Sequence, residues 1–218
     1  MISNNFKKRS LTSFLLFLAL YFASLFDPIL LYLLIIIGVI SVLEFINICN
    51  KIFKNNYTRL LNIIVFIIYL FAYCSLFFYF SKFIYLKIII FSLLLGCIAS
   101  YVGGYVFGNI LKGPKISKIS PNKTISGSIG SIVFCCVIFS GLIFFFTANL
   151  SSIIIFTGIF TSIFCQLGDL FFSYLKRKAK IKDTGNYLPG HGGLLDRVDG
   201  ILLGVPMGFI VLSLFLIK

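Results

Sequence analysis

Seven apolar runs leave this 218-residue chain few ways to fold. They read Leu11–Phe26, Pro28–Ile48, Leu60–Phe80, Leu86–Phe107, Ile129–Thr147, Ser152–Phe172 and Ile201–Ile217. A helix needs about 20 mostly apolar residues to cross a ~30 Å hydrocarbon core, and most of these runs reach that length. Only 11% of the residues are charged, against about 25% in an ordinary soluble domain. With 60% hydrophobic residues and a mean hydropathy of +1.09, the chain reads as an all-α, polytopic helical membrane protein. The first run is short, and Asp27-Pro28 predicts a tight turn into the second. Lys7-Lys8-Arg9 ahead of an apolar run also resembles a signal peptide. A second run follows at once and no small-x-small cleavage site is evident, so a retained first helix is expected.

Charge placement orients these spans. With the N-terminus in the cytoplasm and sides alternating, the inner segments hold Lys7, Lys8, Arg9, Lys51, Lys54, Arg59, Lys112, Lys115, Lys118 and Lys123. They also hold Lys176, Arg177, Lys178, Lys180, Lys182 and Arg197, leaving only Lys82, Lys87 and Lys218 outside. That asymmetry is the positive-inside pattern, and it predicts a cytoplasmic N-terminus and an outer C-terminus. Two inner loops, 108–128 and 173–200, are long enough to carry function. Residues 1–100 read as N-terminal membrane helices, and 101–218 as a catalytic membrane region bearing both loops.

The second loop is where the chemistry gathers. Four of the six acidic residues, Asp169, Asp183, Asp196 and Asp199, fall in one 31-residue stretch with six of the nineteen basic ones. Asp169 lies near the end of the sixth run, where an ionised carboxylate is costly unless paired, solvated or metal-bound. On a helix continuing outward, Asp169, Ser173, Lys176, Arg177 and Lys180 share a face. Snorkelling to lipid phosphates is the plainer account of the cations, but it leaves the aspartate unexplained. Asp196 and Asp199, three residues apart at the start of the seventh run, face the same way on a helix, where the helix dipole would also favour them. Carboxylates without thiolates suit a Mg²⁺-type ion.

Between them, Pro189-Gly190-His191-Gly192-Gly193 could turn backbone N–H groups onto an anion, or simply turn the chain. The first loop offers Lys115, Lys118, Lys123, Ser120 and Thr124 as phosphate-seeking groups, with a solvated basic loop on anionic lipid as the alternative. Glu44, near the inner end of the second run, could snorkel, so its functional reading is weighed below that of Asp169. The net charge of +13 carries no basic stripe interleaved with solvent-facing aromatics, which argues against a nucleic-acid partner. Six scattered cysteines without a C-x-x-C pair, and a single histidine, argue against zinc and read as small buried hydrophobes. No activated Ser–His or Cys–His pair is evident, as suits a reaction between two phosphate-bearing substrates.

These residues resemble the phosphatidate cytidylyltransferase (CDP-diacylglycerol synthase) family. Its C-terminal motif runs Ser, two residues, Lys-Arg, four residues, Lys-Asp, then Gly, Pro-x-His-Gly-Gly and Asp-Arg-x-Asp. This chain supplies Ser173, Lys176-Arg177, Lys182-Asp183, Gly185, Pro189-Gly190-His191-Gly192-Gly193 and Asp196-Arg197-Val198-Asp199 in one register. Ser120-Pro-Asn-Lys123-Thr124 fits a second element, and Glu44-Phe45 a looser Glu–aromatic pair. Correspondence is convincing from about Gly103 onward, with a reduced N-terminal helical set before it.

The resemblance implies that CTP and phosphatidic acid give CDP-diacylglycerol and pyrophosphate with Mg²⁺, a second cation being left open. It implies Asp169 and Asp196 as metal ligands and catalytic residues, with Asp199, Lys182 and Asp183 beside them. Lys123, Ser120, Thr124, Ser173, Lys176, Arg177, His191, Gly192, Gly193 and Arg197 would bind the substrates. The charge asymmetry puts the site on the cytoplasmic face of the membrane, read as a bacterial inner membrane, and a homodimer follows by family analogy alone.

Two departures stand out: Tyr101 where the family usually has aspartate, and Ser126 where it often has Glu or Gln. Tyr101 motivates one rival, a catalytically impaired lipid-binding homologue. The other is a CTP-dependent polyprenol or phytol kinase, which would need a general base for its alcohol. A transporter fits poorly, because the ionisable groups sit at one membrane face rather than along a midplane path.

Overall fold

A computed structural model describes the backbone of residues 4–116, 120, 123–187 and 192–216. The described residues form seven helices and no strand: α1 (Asn4–Leu25), α2 (Asp27–Ile52), α3 (Asn56–Ser81), α4 (Ile84–Leu111), α5 (Ile125–Thr147), α6 (Ser152–Lys178) and α7 (Leu195–Leu216). Six of them, α2 to α7, are long and apolar enough to cross a membrane, while the apolar part of α1, Leu11–Leu25, is shorter. This is an all-α integral membrane protein, as the apolar runs predict.

The helices outrun the apolar segments at their ends, for local reasons. Pro28 stands in the first turn of α2, where a missing N–H costs nothing. Asn55 caps α3 by accepting from Tyr57 N at 2.9 Å, and Thr124 caps α5 by accepting from Gly127 N at 3.1 Å. α6 runs six residues past Phe172 and α7 starts six before Ile201, so the expected 173–200 loop shrinks to residues 179–194. Bilayer thickness limits the apolar stretch, whereas the helix itself continues until a capping signal stops it.

That signal at the end of α6 is a Schellman motif. Ile181 N bonds Lys176 O and Lys180 N bonds Arg177 O, both at 3.0 Å, with Lys180 left-handed at φ 57°. Lys180 therefore leaves the helical face on which it was expected to follow Asp169, Ser173, Lys176 and Arg177.

The chain divides into two compact units. The first comprises residues 1–82 and 175–198. Its core is the face of α2 carrying Leu30, Leu34, Ser41, Glu44, Phe45 and Ile48, whose three- and four-residue spacing is that of one helix stripe. Phe45 stacks on Phe66 of α3 with ring centroids 4.0 Å apart.

The second unit comprises residues 83–174 and 199–218. There α4 and α5 pack closely through small residues: a Cβ at Gly103 would overlap the backbone of Gly130. Lipid is as apolar as a side chain, so association in a bilayer relies on such close contact and on buried hydrogen bonds. Ser100 Oγ lies 2.9 Å from Ser162 Oγ, and Ser128 Oγ donates to Gln166 Oε1 at 2.5 Å. All six cysteines are free thiols; Cys49, Cys97, Cys135 and Cys165 are buried, as expected of small hydrophobes.

Candidate active site

In the second unit, Asp169 stands on α6 and meets the first loop. Lys123 Nζ is 2.5 Å from Asp169 Oδ2, with both side chains about one-quarter exposed. Lys123 makes no aligned hydrogen bond there, so the contact is an ion pair held by charge. The loop delivers Lys123 because its two arms are tied: Ile116 N donates to Lys123 O and Ile125 N to Pro114 O, each at 3.0 Å. Ser173 Oγ donates to Asp169 Oδ1 at 3.3 Å. The nominated residues Asp169, Lys123 and Ser173 thus come together. Thr124 is occupied as the cap of α5, and Ser120 accepts from Lys123 N through its carbonyl.

Asp199 belongs to the same unit and is 1% exposed. The Tyr101 hydroxyl donates to Asp199 Oδ1 at 2.6 Å and accepts from Gly200 N at 2.9 Å. Gly200 N also lies 2.7 Å from Asp199 Oδ1. The phenol therefore provides a buried carboxylate with a donor, which an aspartate at 101 could offer only when protonated.

In the first unit, Asp196 lies in the first turn of α7. Its Oδ1 is 2.5 Å from Lys176 Nζ, with side-chain exposures of 11% for the lysine and 9% for the aspartate. Oδ2 accepts from Thr184 N at 2.8 Å and lies 3.1 Å from Thr184 Oγ1. A buried ion pair repays its desolvation only when the remaining lone pairs are bonded, and Thr184 does that here.

Glu44 does not snorkel. It is fully buried, and its oxygens take Thr184 Oγ1 at 2.6 Å, Leu194 N at 2.9 Å and Leu195 N at 2.8 Å. A glutamate reaches its full length from α2 without reaching water because three donors meet it inside the protein. Sequence reasoning ranked it low and did not single out Thr184. The available signal was the cost of leaving any carboxylate in an apolar run without partners.

The remaining nominated charged side chains are more open. Lys182, Asp183, Arg177 and Arg197 are exposed, Arg177 reaching Ile181 O at 3.3 Å. Gly192 is left-handed at φ 82°, and Gly193 is buried. His191 lies outside the described residues. Among those described, no group of three or more His, Cys, Asp or Glu side chains gathers as a ready-made metal site.

The fold and these pairs define a class: a helical integral membrane protein whose aspartates stand beside lysines at helix ends. The family model described as "Cytidylyltransferase family" matches residues 1–215, and the chain belongs to that family. It is similar to proteins named phosphatidate cytidylyltransferase. One from Bacillus subtilis is 44% identical over 117 residues, 52% of this chain and 43% of that protein. One from Staphylococcus haemolyticus is 42% identical over 107 residues, 48% and 41% of the two chains. One from Helicobacter pylori is 39% identical over 127 residues, 57% and 46%. The matched stretches thus span less than half the length of these relatives.

Proposed function

We propose that the protein transfers a cytidylyl group from CTP to phosphatidic acid, giving CDP-diacylglycerol and pyrophosphate. The observation that carries this reading is the cytidylyltransferase match over residues 1–215, supported by the names of relatives about 40% identical. A phosphate oxygen of phosphatidic acid attacks the α-phosphorus of CTP. A new P–O bond forms, the bond from the α-phosphorus to the β-bridging oxygen breaks, and its electron pair leaves with pyrophosphate. A phosphate monoester with a second pKa near 6 is mostly ionised at pH 7, so its attack needs no general base. Catalysis is then positioning and charge neutralisation.

Lys123, Lys176, Arg177, Lys182 and Arg197 are the cations for that task, with Ser120, Thr124, Ser173, His191, Gly192 and Gly193 as further substrate contacts. Asp199 and Asp183 are supporting carboxylates. Mg²⁺ is the proposed metal, with Asp169 and Asp196 as its ligands. Both offer carboxylate oxygens with hydroxyl neighbours, Ser173 and Thr184, and no thiolate partner, and the ion would take the place that Lys123 and Lys176 hold on them. When bound, such an ion neutralises charge on the phosphates. The positive-inside pattern supports a cytoplasmic site in a bacterial inner membrane. A homodimer rests on family analogy and is tested by the mass of the detergent-solubilised protein.

Purified protein in lipid, given CTP, phosphatidic acid and Mg²⁺, should release one pyrophosphate per CDP-diacylglycerol formed. No pyrophosphate under any condition would favour the impaired lipid-binding homologue.

A further inference from the structure

Glu44 has no assigned contact with substrate or metal, yet it is built into the loop that carries Asp196. Its two oxygens take the N–H groups of Leu194 and Leu195, where α7 begins. The first four N–H groups of a helix have no intrahelical acceptor, so a carboxylate from α2 satisfies two donors that burial would otherwise strand. Thr184 joins this anchor to Asp196, its hydroxyl lying 2.6 Å from Glu44 Oε2 and 3.1 Å from Asp196 Oδ2. One hydroxyl proton cannot serve both fully, and the shorter contact takes it. Asp196 then keeps the Thr184 N–H at 2.8 Å and Lys176 at 2.5 Å.

Two glycines make room for this arrangement. A Cβ at Gly185 would stand 2.5 Å from Glu44 Oε1. A Cβ at Gly193 would stand 2.8 Å from Glu44 Oε2 and overlap Thr184 Oγ1. The need for glycine at 193 is thus explained first by the close approach of the Thr184 hydroxyl and then by that of the carboxylate.

We propose that Glu44 is a positioning residue for Asp196: through Leu194, Leu195 and Thr184 it fixes the start of α7 and so the direction of the Asp196 carboxylate. This rests on the reading of Asp196 as a ligand for a divalent cation. Partners that orient a metal ligand typically change metal affinity by about 10–100-fold when removed.

The test compares wild type with Glu44→Gln and Thr184→Val in the full chain in lipid nanodiscs, using Mn²⁺ as the probe. Glu44→Gln preserves shape but sets an amide against backbone donors. Amide hydrogen exchange, measured without metal or nucleotide, should speed up at least about tenfold at Leu194 and Leu195 and stay unchanged in α5. Mn²⁺ should bind about 10–100-fold more weakly, with the KM for phosphatidic acid within twofold of wild type. Should Glu44→Gln fail to fold, Thr184 decides: Thr184→Val should weaken Mn²⁺ binding while Thr184→Ser, which keeps the hydroxyl, restores it. Wild-type exchange in Glu44→Gln, or wild-type Mn²⁺ affinity in the folded variants, would overturn the proposal. If the variants change exchange and Mn²⁺ binding as described but the wild type turns over no CTP, the result counts against the proposed activity alone.

Discussion

The Tyr101 hydroxyl donates to Asp199 Oδ1 at 2.6 Å, joining α4 to α7 through a carboxylate that is 1% exposed. The residue that departs from the family's usual aspartate is thus the partner of one of the motif's own aspartates. Removing the hydroxyl leaves that carboxylate with one donor fewer. Tyr101→Phe should cost about 1.5–3 kcal/mol, the usual worth of a hydrogen bond to a charged group. Thermal unfolding of the variant in detergent measures it, and an unchanged Tm would show the bond to be dispensable.

The two lysine–aspartate pairs should respond differently to the same change. Lys176 and Asp196 are almost buried, whereas Lys123 and Asp169 are about one-quarter exposed. Asp196→Asn strands a buried lysine and should destabilise by about 3 kcal/mol. Asp169→Asn should cost less, about 1–2 kcal/mol: Lys123 Nζ is itself shielded from water and loses its counter-charge, while the rest of the pair is one-quarter open. Both should abolish turnover, so parallel denaturation and activity assays separate folding from function.

Lys180 adopts φ 57° in the Schellman turn that ends α6, a position where glycine is the ordinary occupant. Lys180→Gly removes a Cβ clash that costs L-residues about 1–2 kcal/mol, partly offset by chain entropy. A net stabilisation of about 0.5–1 kcal/mol should appear as a higher Tm. A fall in Tm would mean that the lysine side chain holds the turn.

Gly193 and Gly192 should also separate. Gly193→Ala drives a methyl into Thr184 and the Glu44 carboxylate, and should unfold the start of α7 with complete loss of turnover. Among the described residues Gly192→Ala meets nothing closer than Asp183 at 3.5 Å, so its cost is the backbone strain of φ 82°, about 1 kcal/mol. Proteolysis at the 179–194 segment, compared between the two variants, reads the difference.

How much of this was legible in the sequence depended on the range of the interaction. Spans followed from apolar length, because the bilayer imposes it on each segment separately. Helix ends did not, since α6 and α7 continue through Ser173, Lys176 and Asp196 until caps formed by neighbouring residues stop them. Asp169 stood out because a carboxylate in an apolar run needs a partner, and it has Lys123. The same logic applied to Glu44, yet its donors lie 140 to 151 residues away, and no local pattern announces them. Tyr101 is the same case at a separation of 98 residues: a missing aspartate was visible, while the phenol's new partner was not.

The central claim is cytidylyl transfer, and the fate of the α-phosphate of CTP tests it most directly. Membranes containing the protein, supplied with phosphatidic acid, Mg²⁺ and CTP labelled at the α-phosphorus, should place the label in a chloroform-soluble nucleotide lipid, with a matching loss in Asp169→Asn. Label that stays in water-soluble CDP, with γ-labelled CTP instead marking a lipid alcohol, would contradict the account and identify a kinase.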